Sequence, residues 1–277
     1  MSSSAICFLN NRFLPYEEAT IHVSDLAIQR GFGVFDFFRE IDGRVPFLED
    51  YLDRFFASSK EFGLEVPLGR EKIRRNILHL LEVNRFQNSG IKLILTGGNS
   101  EDFLTPVRPN LVILNVPFKG LPDDYLGGIK LMLYEYQRFL SDIKSINYFL
   151  AVWLLPKLKA EGAIEPLFYY NGRILETSRG NIFLVKDEVI STPKDNILQG
   201  ISRKHLLIVA LEKYDVDERE VFVDEIHKAD EIFITGTSKH VLPIVQIDDT
   251  VVADRKPGPV TSQLMEDFER YIIGSHP

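Results

Sequence analysis

Cysteine is almost absent. Among 277 residues only Cys7 carries a thiol, so no intramolecular disulfide can form and a reducing compartment is expected. Long hydrophobic runs are also missing: the longest, near Phe149, falls far short of the ~20 residues a membrane span needs. The opening Met1-Ser-Ser-Ser-Ala-Ile-Cys-Phe has no basic stretch leading into an apolar core, so no signal peptide is read there. Positive charge is the minority sign. With a formal net charge of -8 the chain has no excess of cations with which to displace the counter-ions of a polyanion, and nucleic acid is not an expected partner. The densest basic group, Arg70 to Arg75, reads as a helix surface. Repeats and low-complexity tracts are lacking too. These absences leave a soluble, cytoplasmic protein with no membrane partner as the expectation.

What is present is ordinary globular material, 45% hydrophobic and 26% charged, long enough for one large domain or two modest ones. Ala5–Leu9 and Arg12–Leu14 flank Asn10-Asn11 as a hairpin, and Ser24–Gly33 reads as a loop ending in two glycines. Val34–Glu40 and Arg44–Phe47 flank Asp42-Gly43 as a second hairpin. Leu48–Phe62 and Glu71–Phe86 carry helical apolar faces, and Ile91–Thr96 and Leu111–Val116 read as strands. Pro117–Asp124 punctuates the chain as a linker. Beyond it come a strand (Ile129–Gln137), a helix from Tyr148 to Ala160 with a kink at Pro156, and hairpins around Asn171-Gly172 and between Val185 and Val189. A helix from Ser202 to Tyr214, a strand at Glu231–Thr235 and a closing helix from Pro259 to Ile273 complete the chain. The expected fold class is α+β, with two mixed sheet-and-helix domains at 1–118 and 119–277.

Five places carry candidate chemistry. Lys144 sits between Ile143 and Ile146, ahead of the apolar run Tyr148–Leu155. A partly buried ammonium loses hydration and becomes a usable amine nucleophile; the other reading is a lysine that snorkels to water or pairs with Asp142. Glu176 follows a strand and precedes a polar turn, where it either holds a protonated ring nitrogen or is simply solvated. Gly200-Ile201-Ser202-Arg203 opens a helix, either as an anion site or as an ordinary Ser202 cap. Thr235-Gly-Thr237-Ser238 completes a phosphate cup or makes a tight turn. Arg54 either grips a phosphate bidentately or pairs with Asp50 one helical turn away.

Taken together, in order and spacing, these features resemble the class IV, or fold-type IV, pyridoxal-phosphate aminotransferases, the group of branched-chain and D-amino-acid aminotransferases and aminodeoxychorismate lyases. The likeness runs from Asp25 and Gly31-Phe-Gly-Val-Phe-Asp36 through Arg39, Tyr51-Leu-Asp-Arg54 and Ile143-Lys144-Ser-Ile-Asn to Glu176–Phe183, Gly200–Arg203 and Thr235–Ser238. The resemblance implies a D-amino-acid aminotransferase-like fold whose second domain binds the cofactor, pyridoxal 5′-phosphate. It implies that Lys144 forms the Schiff base and shuttles the proton, and that Glu176 pairs with the pyridine nitrogen. Arg54, Ile201, Ser202, Thr237 and Ser238 would meet the phosphate, without a metal, and Arg138 would lie near the cofactor.

Several positions depart from the family pattern. Phe32 replaces an acid, Asp36 shortens a Glu, and Tyr51 stands for a His. The tyrosine that branched-chain members keep five residues after the lysine is Phe149 here, with Tyr148 one short. Thr96-Gly97-Gly98 lacks the arginine of the D-amino-acid enzymes, and Lys92 stands where branched-chain members favour arginine. With Phe35 and Lys92 as candidate substrate contacts, the expectation is an aminotransferase moving an amino group between an amino acid, nominally branched-chain, and a 2-keto acid, within a homodimer. D-amino-acid transamination, lyase-type β-elimination and a non-catalytic cofactor-binding protein are the alternatives.

Overall fold

The computed structural model describes residues 5–274. The chain divides into two compact units, residues 5–119 joined by 143–147, and residues 120–142 joined by 148–274. The five residues around Lys144 therefore fold with the first unit, although sequence position alone assigns them to the second.

In the first unit, β1 (Ile6–Leu9), β2 (Arg12–Pro15), β3 (Gly33–Glu40), β4 (Ser89–Thr96) and β5 (Leu111–Pro117) form one antiparallel sheet in the order β2-β1-β5-β4-β3. Alternation sets its faces. Val34, Asp36 and Phe38 of β3 and Ile91, Leu93 and Leu95 of β4 are buried, whereas Phe35, Phe37, Lys92 and Ile94 between them are half-buried. Helices α2 (Leu48–Glu61) and α3 (Arg70–Asn84) bury Leu52, Phe55, Ile73, Ile77 and Leu80. Each such side chain contributes roughly 1.5–3 kcal/mol of burial.

Two local expectations change here. The stretch from Ser24 is not all loop: Leu26–Arg30 is a short helix, α1. Asp25 caps it by accepting from Ala27 N at 2.7 Å, and Gly31 closes it at φ 63°. A tertiary anchor supports it, since buried Asp25 also accepts from Thr96 Oγ1 and Asn110 Nδ2, each at 2.6 Å. The second arm expected after Asp42-Gly43 shrinks to a single bridge, Ile41 with Arg44, and β3 pairs instead with β4 along its whole length.

The second unit holds β6 (Ile129–Glu135), α4 (Phe149–Trp153), α5 (Leu155–Glu161), β7 (Glu165–Tyr170), β8 (Arg173–Thr177), β9 (Gly180–Lys186) and β10 (Val189–Pro193). There follow α6 (Ile201–Ala210), β11 (Val216–Arg219), β12 (Val221–Phe222), β13 (Glu231–Gly236), β14 (His240–Ile247), β15 (Thr250–Val251) and α7 (Pro259–Gly274). The path β9-β13-β14-β6-β7-β8 closes on itself because β8 also pairs with β9. Its core includes Leu131, Leu167, Ile182, Ile234 and Leu242. The single helix expected from Tyr148 is two, broken at Leu154, with Pro156 in the first turn of α5, where its missing N–H costs nothing.

Candidate active-site elements

Residues 143–147 lie along the free edge of β3. Phe35 N donates to Lys144 O at 2.9 Å, Ile146 N donates to Gly33 O at 3.0 Å, and Val34 bridges to Ser145. That antiparallel register sets Lys144 opposite Phe35, so the two side chains share a face. Lys144 Nζ lies 4.8 Å from the Phe35 ring centroid, and Lys92 Nζ approaches the same ring at 5.4 Å. Burial lowers the pKa of Lys92. Two half-buried lysines thus meet one aromatic ring. The neighbouring rings are engaged elsewhere: Phe32 stacks on Phe62 at 5.0 Å and Phe37 tilts against Phe118 at 6.5 Å.

Helix α2 serves the same strand from its other face. Arg54 donates through Nε and a terminal nitrogen to the two oxygens of Asp36 at 2.9 and 2.7 Å, with side-chain exposures of 11% and 0%. One turn later Ser58 accepts from Lys144 N at 3.3 Å. The spacing i, i+4 therefore lets one helix hold Asp36 and the lysine segment together. The Arg54–Asp36 pair was missed in sequence, although Asp36 lies in the motif itself; only β3 pairing shows which face it takes.

In the second unit Glu176 near the end of β8 is held from both sides. Arg138 Nε donates to its Oε1 at 2.7 Å, and Leu198 N donates to its Oε2 at 3.0 Å. Arg138 is also tied to the carbonyl of Ser141. Burial pushes the Tyr148 hydroxyl up to about 12, with Arg138, Glu176, Glu165 and Arg179 all close enough to act on it. Tyr148 is therefore protonated at neutral pH and able to donate.

Helix α6 starts at Ile201 behind Gly200, with no side-chain cap, and Ile201 and Ser202 are buried. Its first N–H groups are directed out of the helix start, the arrangement that suits an anion. Gly200 has to be small, because a Cβ there would come 2.3 Å from Asn181 Oδ1, and that same Asn181 donates to Leu198 O at 2.8 Å. Thr237 and Ser238 occupy the tight turn between β13 and β14. In all, the first unit carries Arg54, Lys144, Phe35 and Lys92, and the second carries Arg138, Glu176, Ile201, Ser202, Thr237 and Ser238.

The chain is similar to known proteins along nearly its whole length. The family model described as amino-transferase class IV matches residues 33–247. A Methanocaldococcus jannaschii protein provisionally named a branched-chain-amino-acid aminotransferase is 31% identical, covering 95% of this chain and 94% of its own. The D-alanine aminotransferase of Staphylococcus haemolyticus is 32% identical over 96% and 97%. Among solved structures, the branched-chain aminotransferase of the archaeon Thermoproteus uzoniensis with norvaline has a TM-score of 0.89 at 26% identity, over 99% of this chain and 96% of that one. A second branched-chain amino acid aminotransferase, from T.th. and holding pyridoxamine 5′-phosphate, has a TM-score of 0.91 at 25% identity, over 99% and 96%.

Proposed function

The chain belongs to the class IV aminotransferases, enzymes dependent on pyridoxal 5′-phosphate, and from that premise we propose that it moves an amino group between a branched-chain L-amino acid and 2-oxoglutarate. The observation that carries the substrate reading is the face formed by Lys144, Phe35 and Lys92. It offers an apolar ring to a side chain and a second cation to a carboxylate.

The donor sets suit the cofactor. An uncapped helix start with Ser202, the Thr237 and Ser238 hydroxyls, and the guanidinium of Arg54 match a phosphate dianion. Asp36 orients that guanidinium by holding one edge of it. Glu176 suits a protonated ring nitrogen: it is a buried carboxylate held in a fixed orientation by Arg138 and the Leu198 N–H. When bound, the cofactor supplies an electron sink for the pair left on the substrate's Cα. Arg138 holds the Glu176 carboxylate in place through their ion pair. Lys144 would carry the proton from the substrate's Cα to the cofactor carbon that bears the transferred nitrogen; Phe35 and the Ser58 contact to its backbone hold its position. Lys92 binds the substrate carboxylate.

A second reading, D-amino-acid transamination, is favoured by the position of Tyr148 four residues after Lys144 and by the D-alanine aminotransferase relatives. We also read the enzyme as a cytoplasmic homodimer. The lone buried Cys7 fits a reducing compartment, and the exposed Phe149, Val152, Trp153 and Leu155 fit a subunit contact.

The test is a visible spectrum of the purified holoenzyme with a half-transamination panel of L-valine, L-leucine, L-isoleucine and D-alanine. A borohydride-sensitive band that is lost in Lys144→Ala, together with spectral change on the L-amino acids, is the expected result. The variant should lose activity by about three orders of magnitude or more. Response to D-alanine alone selects the second reading, multiple-turnover pyruvate release from added aminodeoxychorismate without a keto-acid acceptor selects the lyase chemistry, and a protein that takes up no cofactor overturns all three.

A further inference from the structure

Glu165, which has no role above, is among the most buried ionic groups described, 1% exposed at the start of β7. Its Oε1 receives Lys239 Nζ at 2.5 Å and both Nε and a terminal nitrogen of Arg179 at 3.1 and 2.9 Å. Ser178 Oγ donates to its Oε2 at 3.2 Å. The Lys239 side chain is itself only 4% exposed, whereas that of Arg179 is 61% exposed.

The partners of this carboxylate come from two turns. Ser178 and Arg179 join β8 to β9, directly after Glu176 and Thr177, and Lys239 ends the turn from β13 to β14, directly after Thr237 and Ser238. Their backbones are in close contact. A Cβ on Gly180 would come 2.7 Å from Thr235 O, and one on Gly236 would come 2.8 Å from Arg179 O. Lys239 Nζ also donates to Arg179 O at 3.4 Å, so the ammonium crosses from one turn to the other.

A buried ion pair of this kind is a poor source of stability, because desolvating both charges offsets most of their attraction and apolar replacements often serve equally well. What it provides is geometry. We propose that Glu165 is a positioning residue: through Lys239 and Arg179 it locks the two turns together and so sets where Thr237 and Ser238 meet the cofactor phosphate. This rests on the phosphate role assigned to Thr237 and Ser238 above. Glu165 touches neither substrate nor cofactor in this scheme. Without its charge, Lys239 stays buried beside Arg179 with no anion between them, and the turn that carries the hydroxyls must shift to hydrate it.

The experiment measures the affinity of the apoprotein for pyridoxal 5′-phosphate and for pyridoxal, which lacks the phosphate, in the wild type, Glu165→Gln and the double variant Glu165→Leu/Lys239→Met. The double variant removes both charges at similar volume, which keeps the fold testable if the single variant is unstable. The expected result is that both variants lose affinity for pyridoxal 5′-phosphate about tenfold or more, while pyridoxal affinity changes little, so that the preference for the phosphorylated form collapses. Equal preference in the wild type and a folded double variant overturns the proposal, as does an equal loss for both ligands. A wild type that binds neither ligand overturns instead the cofactor reading on which the proposal depends.

Discussion

Lys92 is half-buried, its ammonium 5.4 Å from the Phe35 ring. Burial disfavours its charged form, lowering its pKa below the usual lysine value. The sign follows from linkage. At a pH below the folded pKa the folded protein carries a cation it holds less well than the unfolded chain does, and that penalty disappears as pH rises past the unfolded value. Lys92→Met should therefore raise the melting temperature at pH 7 while raising the KM for amino acids about tenfold or more through loss of the carboxylate contact. A variant both less stable and fully active would remove Lys92 from the site. Glu165 has the opposite sign. Burial alone would raise its carboxyl, but Lys239 and Arg179 outweigh that and bring it from an ordinary 4.5 to about 2. Its contribution to stability is complete above the ordinary value and is lost as pH falls through the folded one. Urea unfolding between pH about 4.5 and 2 should accordingly show a steeper loss of stability in the wild type than in Glu165→Gln.

At the scale of the element, helix α1 depends on its anchor. Five residues are too few for a helix to stand by itself, so its stability comes from Asp25, which joins the helix start to β4 and to Asn110. Asp25→Ala removes the cap and leaves Thr96 and Asn110 without their buried acceptor, at a cost of about 2 kcal/mol or more measured by urea unfolding. The same comparison shows why the reading of Ser24–Gly33 as loop did not survive. A window that short has no periodicity, and the partner that stabilises it lies 71 residues away at Thr96. Long elements were legible for the converse reason. The apolar spacings of Leu48–Phe62 and Pro259–Ile273 repeat over enough turns to specify both element and buried face. Turns with Asn10-Asn11 and Asn171-Gly172 were legible as well, because the left-handed backbone they adopt excludes most other residues. Arg44–Phe47 failed as a strand because a hairpin signal fixes a turn, not the partner of the strand that follows.

At the scale of the whole molecule, the assembly is open to a direct test. Phe149, Val152 and Trp153 lie three and four positions apart on α4, at 73%, 63% and 59% exposure. Large apolar side chains clustered on one helix face are costly to leave in water, so a second copy of the chain is the occupant we expect. Trp153 is the only tryptophan, so its emission reports that face without interference. Sedimentation should give a dimer with blue-shifted emission, and Trp153→Asp should give monomers. A wild-type monomer with water-exposed emission would leave the face without a partner. Among the described residues no helix is long and apolar enough to cross a membrane.

By itself, the sequence determined which residues could carry chemistry, because residue types in a fixed order survive without coordinates. Lys144, Glu176, Arg54, Gly200–Ser202 and Thr235–Ser238 were visible as a set, together with the α+β class and the family resemblance. Tertiary structure alone decided what holds each of them. It placed Lys144 on the edge of β3 opposite Phe35, turned Asp36 towards Arg54, brought Arg138 onto Glu176, and buried Glu165 between two turns. The physical reason is range. Propensity, spacing and turn chemistry act within a few residues, whereas these contacts join residues from 13 to more than 100 positions apart, and only strand register and packing select among the partners a charged side chain could have.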